Sequence, residues 1–170
     1  MIKYLVVAAA LAVVPVPAFA ETITDAALAS HNTARAQYGA RPLAWNPALL
    51  PATQTWANQC RFQHSQPNGA YGENLYATTK VADDATIVRD AVRAWMDEAK
   101  LYNYSNPGFS GATGHFTQVV WKSTTNLAVA VGTCPANTIF PRASKYVVAR
   151  YTPPGNWLGQ FPQNVGRPVS

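Results

Sequence analysis

Three histidines stand in the chain after its first 20 residues: His31, His64 and His115. Acids are sparse, and two of them sit where a carboxylate would be costly without a partner. Glu73 lies within Tyr71-Gly72-Glu73-Asn74-Leu75, and Glu98 follows Trp95 by three residues, on the same helix side as that indole. Imidazole and carboxylate are the groups for proton transfer and divalent-metal binding. Spacing alone does not assemble them. No H-x-x-x-H or C-x-x-C occurs, so by themselves the histidines read as hydrogen-bonded structural residues, with a metal site as the alternative. A second group is aromatic: Tyr102, Tyr104 and Phe109 in Tyr102-Asn-Tyr104-Ser-Asn-Pro-Gly-Phe109. A loop containing proline and glycine can lay such rings over a flat apolar ligand, or pack them onto its own domain. Asn103-Tyr104-Ser105 in that loop is also a glycosylation sequon.

These residues need elements to position them. The stripe Ala27, Leu28, His31, Ala34, Arg35 and Tyr38 predicts a helix over 25–38, stopped by Gly39. Asn46-Pro47 reads as an N-cap and first helical position for a second helix running to about Cys60, distorted early by Pro51. Asn74 to Thr78 suits a short strand. Asp83 or Asp84 caps a third helix, from Ala85 to about Tyr102, with Val88, Val92 and Trp95 on its apolar side. Residues 103–114 are loop, and a short helix follows from His115. Leu127–Val131 and Tyr146–Tyr151 are β-rich apolar runs, and Thr152-Pro-Pro-Gly-Asn156 ends regular structure. Helices and strands are segregated, which predicts an α+β domain with helices covering an antiparallel sheet.

The N-terminus has the three regions of a secretory leader: a positive start at Lys3, an apolar run from Tyr4 to Val14, and Ala18-Phe19-Ala20 as a cleavage site. The run is too short to span a bilayer. The expected division is a leader over 1–20 and one domain over 21–170, secreted, monomeric and without a transmembrane segment. Thirteen basic and eight acidic residues give the chain a net charge of +5. The basic residues are scattered, so a nucleic-acid surface is not expected, and mild attraction to anionic cell surfaces is. Export makes a Cys60–Cys134 disulfide the default for the two cysteines, with two buried thiols as the alternative.

Five blocks stand in order along the chain: His31-Asn32 with Arg35, Phe62-x-His64-Ser65, Gly72-Glu-Asn74, Gly114-His-Phe-Thr-Gln-Val-Val-Trp121 and Tyr146-Val-Val-Ala-Arg-Tyr-Thr-Pro-Pro-Gly-Asn156. Together they resemble the CAP superfamily of cysteine-rich secretory proteins, antigen 5 and pathogenesis-related class 1 proteins. The resemblance spans nearly the whole chain after the leader. It implies a three-layer α-β-α sandwich with a central antiparallel sheet. It also implies a large open cleft where His64, Glu73, Glu98 and His115 meet. There His64 and His115 would hold zinc or another divalent cation weakly, and the glutamates would orient its water. The 102–109 block is similar to the aromatic loop of fungal sterol-binding members, which implies a sterol seat at Tyr102, Tyr104 and Phe109. Where related sequences commonly carry a further disulfide, Val129 and Ala149 stand here. The expected function is a secreted binder of sterol or another small lipid, serving lipid export, defence or host interaction, with no catalytic residue assigned. The alternatives are a metal-assisted hydrolase using the tetrad and a signalling or inhibitory ligand for a cell-surface partner.

Overall fold

The computed structural model describes residues 21–169; the expected leader lies outside them. Helix α1 (Ile23–Gln37) starts two residues before Asp25. Thr22 is its N-cap, and Asp25 completes a capping box by reaching back to the Thr22 backbone. The short strand β1 (Ala44–Trp45) was not expected. Asn46 does cap the next segment, but Pro47–Leu49 is a 3₁₀ turn, and α2 (Leu50–Asn58) begins only beside Pro51. Proline has no N–H and tolerates only the first turn, so the α-helix restarts around Pro51.

Strand β2 (Gly72–Thr78) precedes α3 (Asp84–Asp97), whose cap is Asp83. The third helix therefore ends earlier than expected. It tightens into a 3₁₀ turn over Glu98–Leu101 before Tyr102 turns extended. Helix α4 (Gly114–Val120), strands β3 (Asn126–Cys134) and β4 (Ser144–Thr152), and a short α5 (Phe161–Asn164) complete the chain. Both long strands extend a few residues beyond their apolar runs.

The sheet order is β1-β3-β4-β2. Both pairings of β4 are antiparallel, with Val129 opposite Ala149 and Glu73 opposite Arg150. The short β1 adds a parallel edge beside β3, so the sheet is antiparallel except at that edge. Alternation along the strands divides the core in two. Leu127, Val129, Val131, Val147, Ala149 and Tyr151 face α1, α3 and α4, against Ala27, Val88, Trp95 and Phe116. Ala130, Tyr146 and Val148 face α2 at Ala57. This is the three-layer α-β-α sandwich. The α2 layer is thin, and it presses onto the sheet at Gly132, where a Cβ would collide with the Ala57 carbonyl. A Cys60–Cys134 disulfide joins the end of α2 to the end of β3. Val129 and Ala149 are buried cross-strand partners on the opposite face.

Candidate functional site

The site lies at β2, an edge strand, where loops from both sides of the sheet converge. A cavity of about 160 Å³ there is lined by His64, Glu73, Asn74, Phe109, His115 and Asn156, together with two glycines. It is smaller than the large cleft expected, because Phe109 folds back over Gly114 and closes one side.

Each histidine is paired with one carboxylate. His115 Nδ1 lies 2.6 Å from Glu98 Oε1. A carboxylate only accepts, so Nδ1 carries the proton and Nε2 remains for a ligand. Glu98 Oε2 accepts the backbone N–H groups of His115 and Phe116 at 3.0 and 3.1 Å. Thr113 makes no side-chain cap of α4, so Glu98, from the turn after α3, caps that helix and orients its histidine at once. The Trp95 ring stacks on His115 at an interplanar angle of 17°. Glu98 does not line the cavity; it stands behind His115.

His64 Nδ1 lies 3.1 Å from Glu73 Oε1, with the imidazole 60% exposed and the carboxylate 3% exposed. Burial pushes the Glu73 pKa up, but hydrogen bonds from His64, from the Ser65 hydroxyl and N–H, and from Arg150 outweigh it and hold it below the ordinary carboxylate value. Arg150 is itself buried and lies 4.3 Å from the centre of the Tyr71 ring. Ser65, Tyr71 and Arg150 were not anticipated. The signal for Arg150 was present: a cation within an apolar strand run requires an anion across the ladder.

His31 does not reach the cavity. It is fully buried under it, in the relay that the isolated-histidine reading expects. Its Nδ1 is 2.8 Å from Ala27 O and its Nε2 is 2.8 Å from the Tyr151 hydroxyl. The carbonyl fixes the tautomer: Nδ1–H donates to Ala27, and Tyr151 donates to Nε2. Asn74 Nδ2 in turn donates to Tyr151 OH at 3.3 Å and to His115 O at 3.0 Å. Burial is the main reason that the His31 pKa falls from 6.5 to about 4. Between those values the unfolded chain binds the proton and the folded chain does not. This contribution is therefore whole above pH 6.5 and is lost as pH falls toward 4, by about 3 kcal/mol in all. Urea unfolding at a series of pH values should show stability rising steadily from pH 4.5 to 6. A flat profile across that interval would rule out a neutral buried His31.

The aromatic loop separates into two parts. Tyr102 is buried, packed edge-on against Phe116 and Tyr104. Tyr104 is partly buried, with the Arg167 guanidinium 4.9 Å from its ring centre. Phe109 alone is open, at 56% exposure. It lines both the histidine cavity and a second one, of about 350 Å³, formed within the loop. Asn103 stands exposed at that second cavity, its Oδ1 accepting the Ser105 N–H at 2.9 Å.

Comparison with known proteins agrees with the fold. Residues 28–151 match the model of the cysteine-rich secretory protein family, CAP. The maize pathogenesis-related protein PRMS is 35% identical over 168 residues, covering 95% of this chain and 94% of its own. Protein PRY2 of Saccharomyces cerevisiae is 36% identical over 141 residues, covering 79% of this chain and 38% of its own. Among solved structures, NaASP2 with Zn2+ aligns with a TM-score of 0.71 at 26% identity, over 85% of this chain and 86% of that one.

Proposed function

This chain belongs to the cysteine-rich secretory protein (CAP) family, and from that premise we propose that it is a secreted binding protein for a sterol or another small lipid. The observation that carries this reading is the cavity formed within the 101–113 loop. Leu101, Tyr102, Pro107 and Phe109 give it apolar walls, and Asn103, Asn106 and Ser110 give it polar ones. Phe109 is free to close on a ligand because it is not spent on the core. The loop also holds a buried hydroxyl without a hydrogen bond, Thr113 Oγ1. An unpaired buried hydroxyl costs about 1–3 kcal/mol, so the loop gains by rearranging around a ligand hydroxyl. A second apolar seat supports the broader lipid class. The groove between α1 and α3, about 570 Å³, has Ala29, Ala34, Val92 and Met96 on its walls and Arg89 and Arg93 beside them. In a host that glycosylates Asn103, the glycan stands at the mouth of the loop cavity.

Sterol binding curves on the purified protein test the reading. Leu101→Ala with Phe109→Ala truncates two exposed side chains, so the melting temperature should hold while affinity falls about tenfold or more. His115→Ala should leave sterol affinity unchanged. Full affinity in the loop double variant would show that this loop is not the seat.

A weak divalent-metal site at His64 and His115 is favoured by one specific observation, that both rings give Nδ1 to a carboxylate and keep Nε2 for the cavity. The zinc-containing neighbour NaASP2 supports zinc as the probe. Among the described residues no three histidine, cysteine or acidic side chains are placed to hold an ion together, so two protein nitrogens are the expected ligands. Bound zinc would supply a polarised water. Glu73 is committed to His64, Ser65 and Arg150, and Glu98 to His115 and the α4 N–H groups, which leaves neither as an unengaged base. The arrangement therefore favours binding over hydrolysis. Calorimetry should give modest zinc affinity that weakens on acidification, because an imidazole must be neutral to ligate. An unchanged isotherm in the His64→Ala, His115→Ala double variant would place the metal elsewhere.

A further inference from the structure

The turn after β4 exposes a tryptophan and a leucine on a backbone that is held firmly. Gly155 N–H donates to Gln118 Oε1 at 2.9 Å. Asn156 adopts a left-handed φ of +61°, accepts from Thr117 Oγ1 at 2.6 Å and donates to Gly114 O at 2.9 Å. Both anchors belong to α4. On the far side, Gln160 N–H closes onto Trp157 O at 3.1 Å, and Gly159 has a φ of +78° that suits glycine. Between these ties Trp157 is 49% exposed and Leu158 is 81% exposed. The Trp56 and Trp95 indoles donate to backbone carbonyls; among the described residues no such partner is found for Trp157.

The turn follows directly on Asn156, a wall residue of the histidine cavity. Asn156 lines the histidine cavity with Phe109, and Phe109 lines the loop cavity with Leu101, which is 64% exposed. The one acid among the residues lining the two cavities is Glu73, buried against Arg150. The cavity next to the turn thus has no exposed lining carboxylate, on a chain of net charge +5. A tryptophan with an apolar body and a free N–H suits the boundary between acyl chains and headgroups, and net positive charge favours an anionic leaflet. We propose that the Trp157–Leu158 turn seats the protein on the headgroup region of a lipid bilayer. The purpose of this docking rests on the lipid-binding reading: it brings the protein to the layer from which a lipid enters.

The test is co-sedimentation with sterol-free vesicles of phosphatidylcholine and phosphatidylserine, for wild type and for Trp157→Ser with Leu158→Ser. Sterol uptake from detergent solution is measured in parallel. Both substituted side chains are exposed, and an unchanged thermal melt confirms that the variant is folded. Partition should fall about tenfold or more in the variant, while uptake from detergent persists. Wild type that takes up sterol but ignores vesicles overturns the docking and leaves the lipid reading intact. Wild type that binds vesicles through the turn but takes up no sterol keeps the docking and removes that lipid. A concentration-dependent dimer that the double substitution abolishes, without vesicle binding, would make this face a contact between copies and overturn the proposal.

Discussion

Replacing Arg35 with methionine should destabilise the protein by about 3–5 kcal/mol. Arg35 is fully buried, and its guanidinium has no carboxylate partner among the described residues. It donates instead to four carbonyls: Arg41 O at 2.7 Å, Val119 O at 2.8 Å, Trp121 O at 2.9 Å and Thr124 O at 3.0 Å. Burial draws its pKa down to about 10, so the cation persists at neutral pH. Two of the carbonyls belong to the end of α4, where the helix dipole favours a positive charge. Methionine fills much of the volume but leaves three acceptors without a donor, since only Trp121 O keeps another, the Thr124 N–H at 3.1 Å, and each of the three costs about 1–3 kcal/mol if water does not reach it. Lysine should restore only part of the loss, since a single ammonium cannot reproduce the planar fork. Helix α4 carries His115, so the methionine variant should also lose zinc affinity before it unfolds. Chemical denaturation within 1 kcal/mol of wild type would mean that these carbonyls find water, and that Arg35 is not the tie between α1 and α4.

The same residue shows how far the sequence could be read. His31 and Arg35 lie one turn apart on the buried face of α1, and their place in an otherwise apolar stripe marks them as buried. Each has one near partner, Ala27 O and Arg41 O, but the others are 84 to 120 residues away, and no local rule names a partner at that distance. Helices and strands were legible because periodicity is local. Their ends were less so: the tight turn over Glu98–Leu101 is decided by hydrogen bonds the pattern does not record, whereas the Thr22-x-x-Asp25 capping box is a sequence signature that the apolar stripe alone leaves out. The short strand β1 carried no alternation at all: two residues pair with β3 because the 39–43 segment brings them there. In the site, the family blocks point to both histidines and both glutamates, but not to the division of labour between Glu73 and Glu98. Nor does the aromatic spacing distinguish Tyr102, which packs, from Phe109, which stays open. That difference arises from Phe116 and Tyr104 filling the space beside Tyr102.

Removing the disulfide, by Cys60→Ala with Cys134→Ala, should destabilise the fold by about 4 kcal/mol. The bridge closes a loop with a sequence separation of 74, and the chain-entropy relation gives a loss of that size when the unfolded chain regains its freedom. The loss should not fall evenly. The α2 layer rests on a small cluster of Ala57, Leu75, Ala130, Tyr146 and Val148 beside the bridge, whereas α1, α3 and α4 share the larger core with the other face of the sheet. Helix α2 should therefore open first. Trp56 in α2 donates to the Gln63 carbonyl at 3.1 Å, one residue before His64, so loosening α2 frees the segment that presents that imidazole to Glu73. The double variant should accordingly show faster amide exchange over residues 50–58 and weaken the zinc binding proposed for His64 and His115, while the sterol affinity proposed for the 102–109 loop, packed on α4, is kept. Zinc and sterol affinities that decline together would show that the two layers open as one unit. An unfolding midpoint equal to wild type would show that the bridge adds nothing to stability.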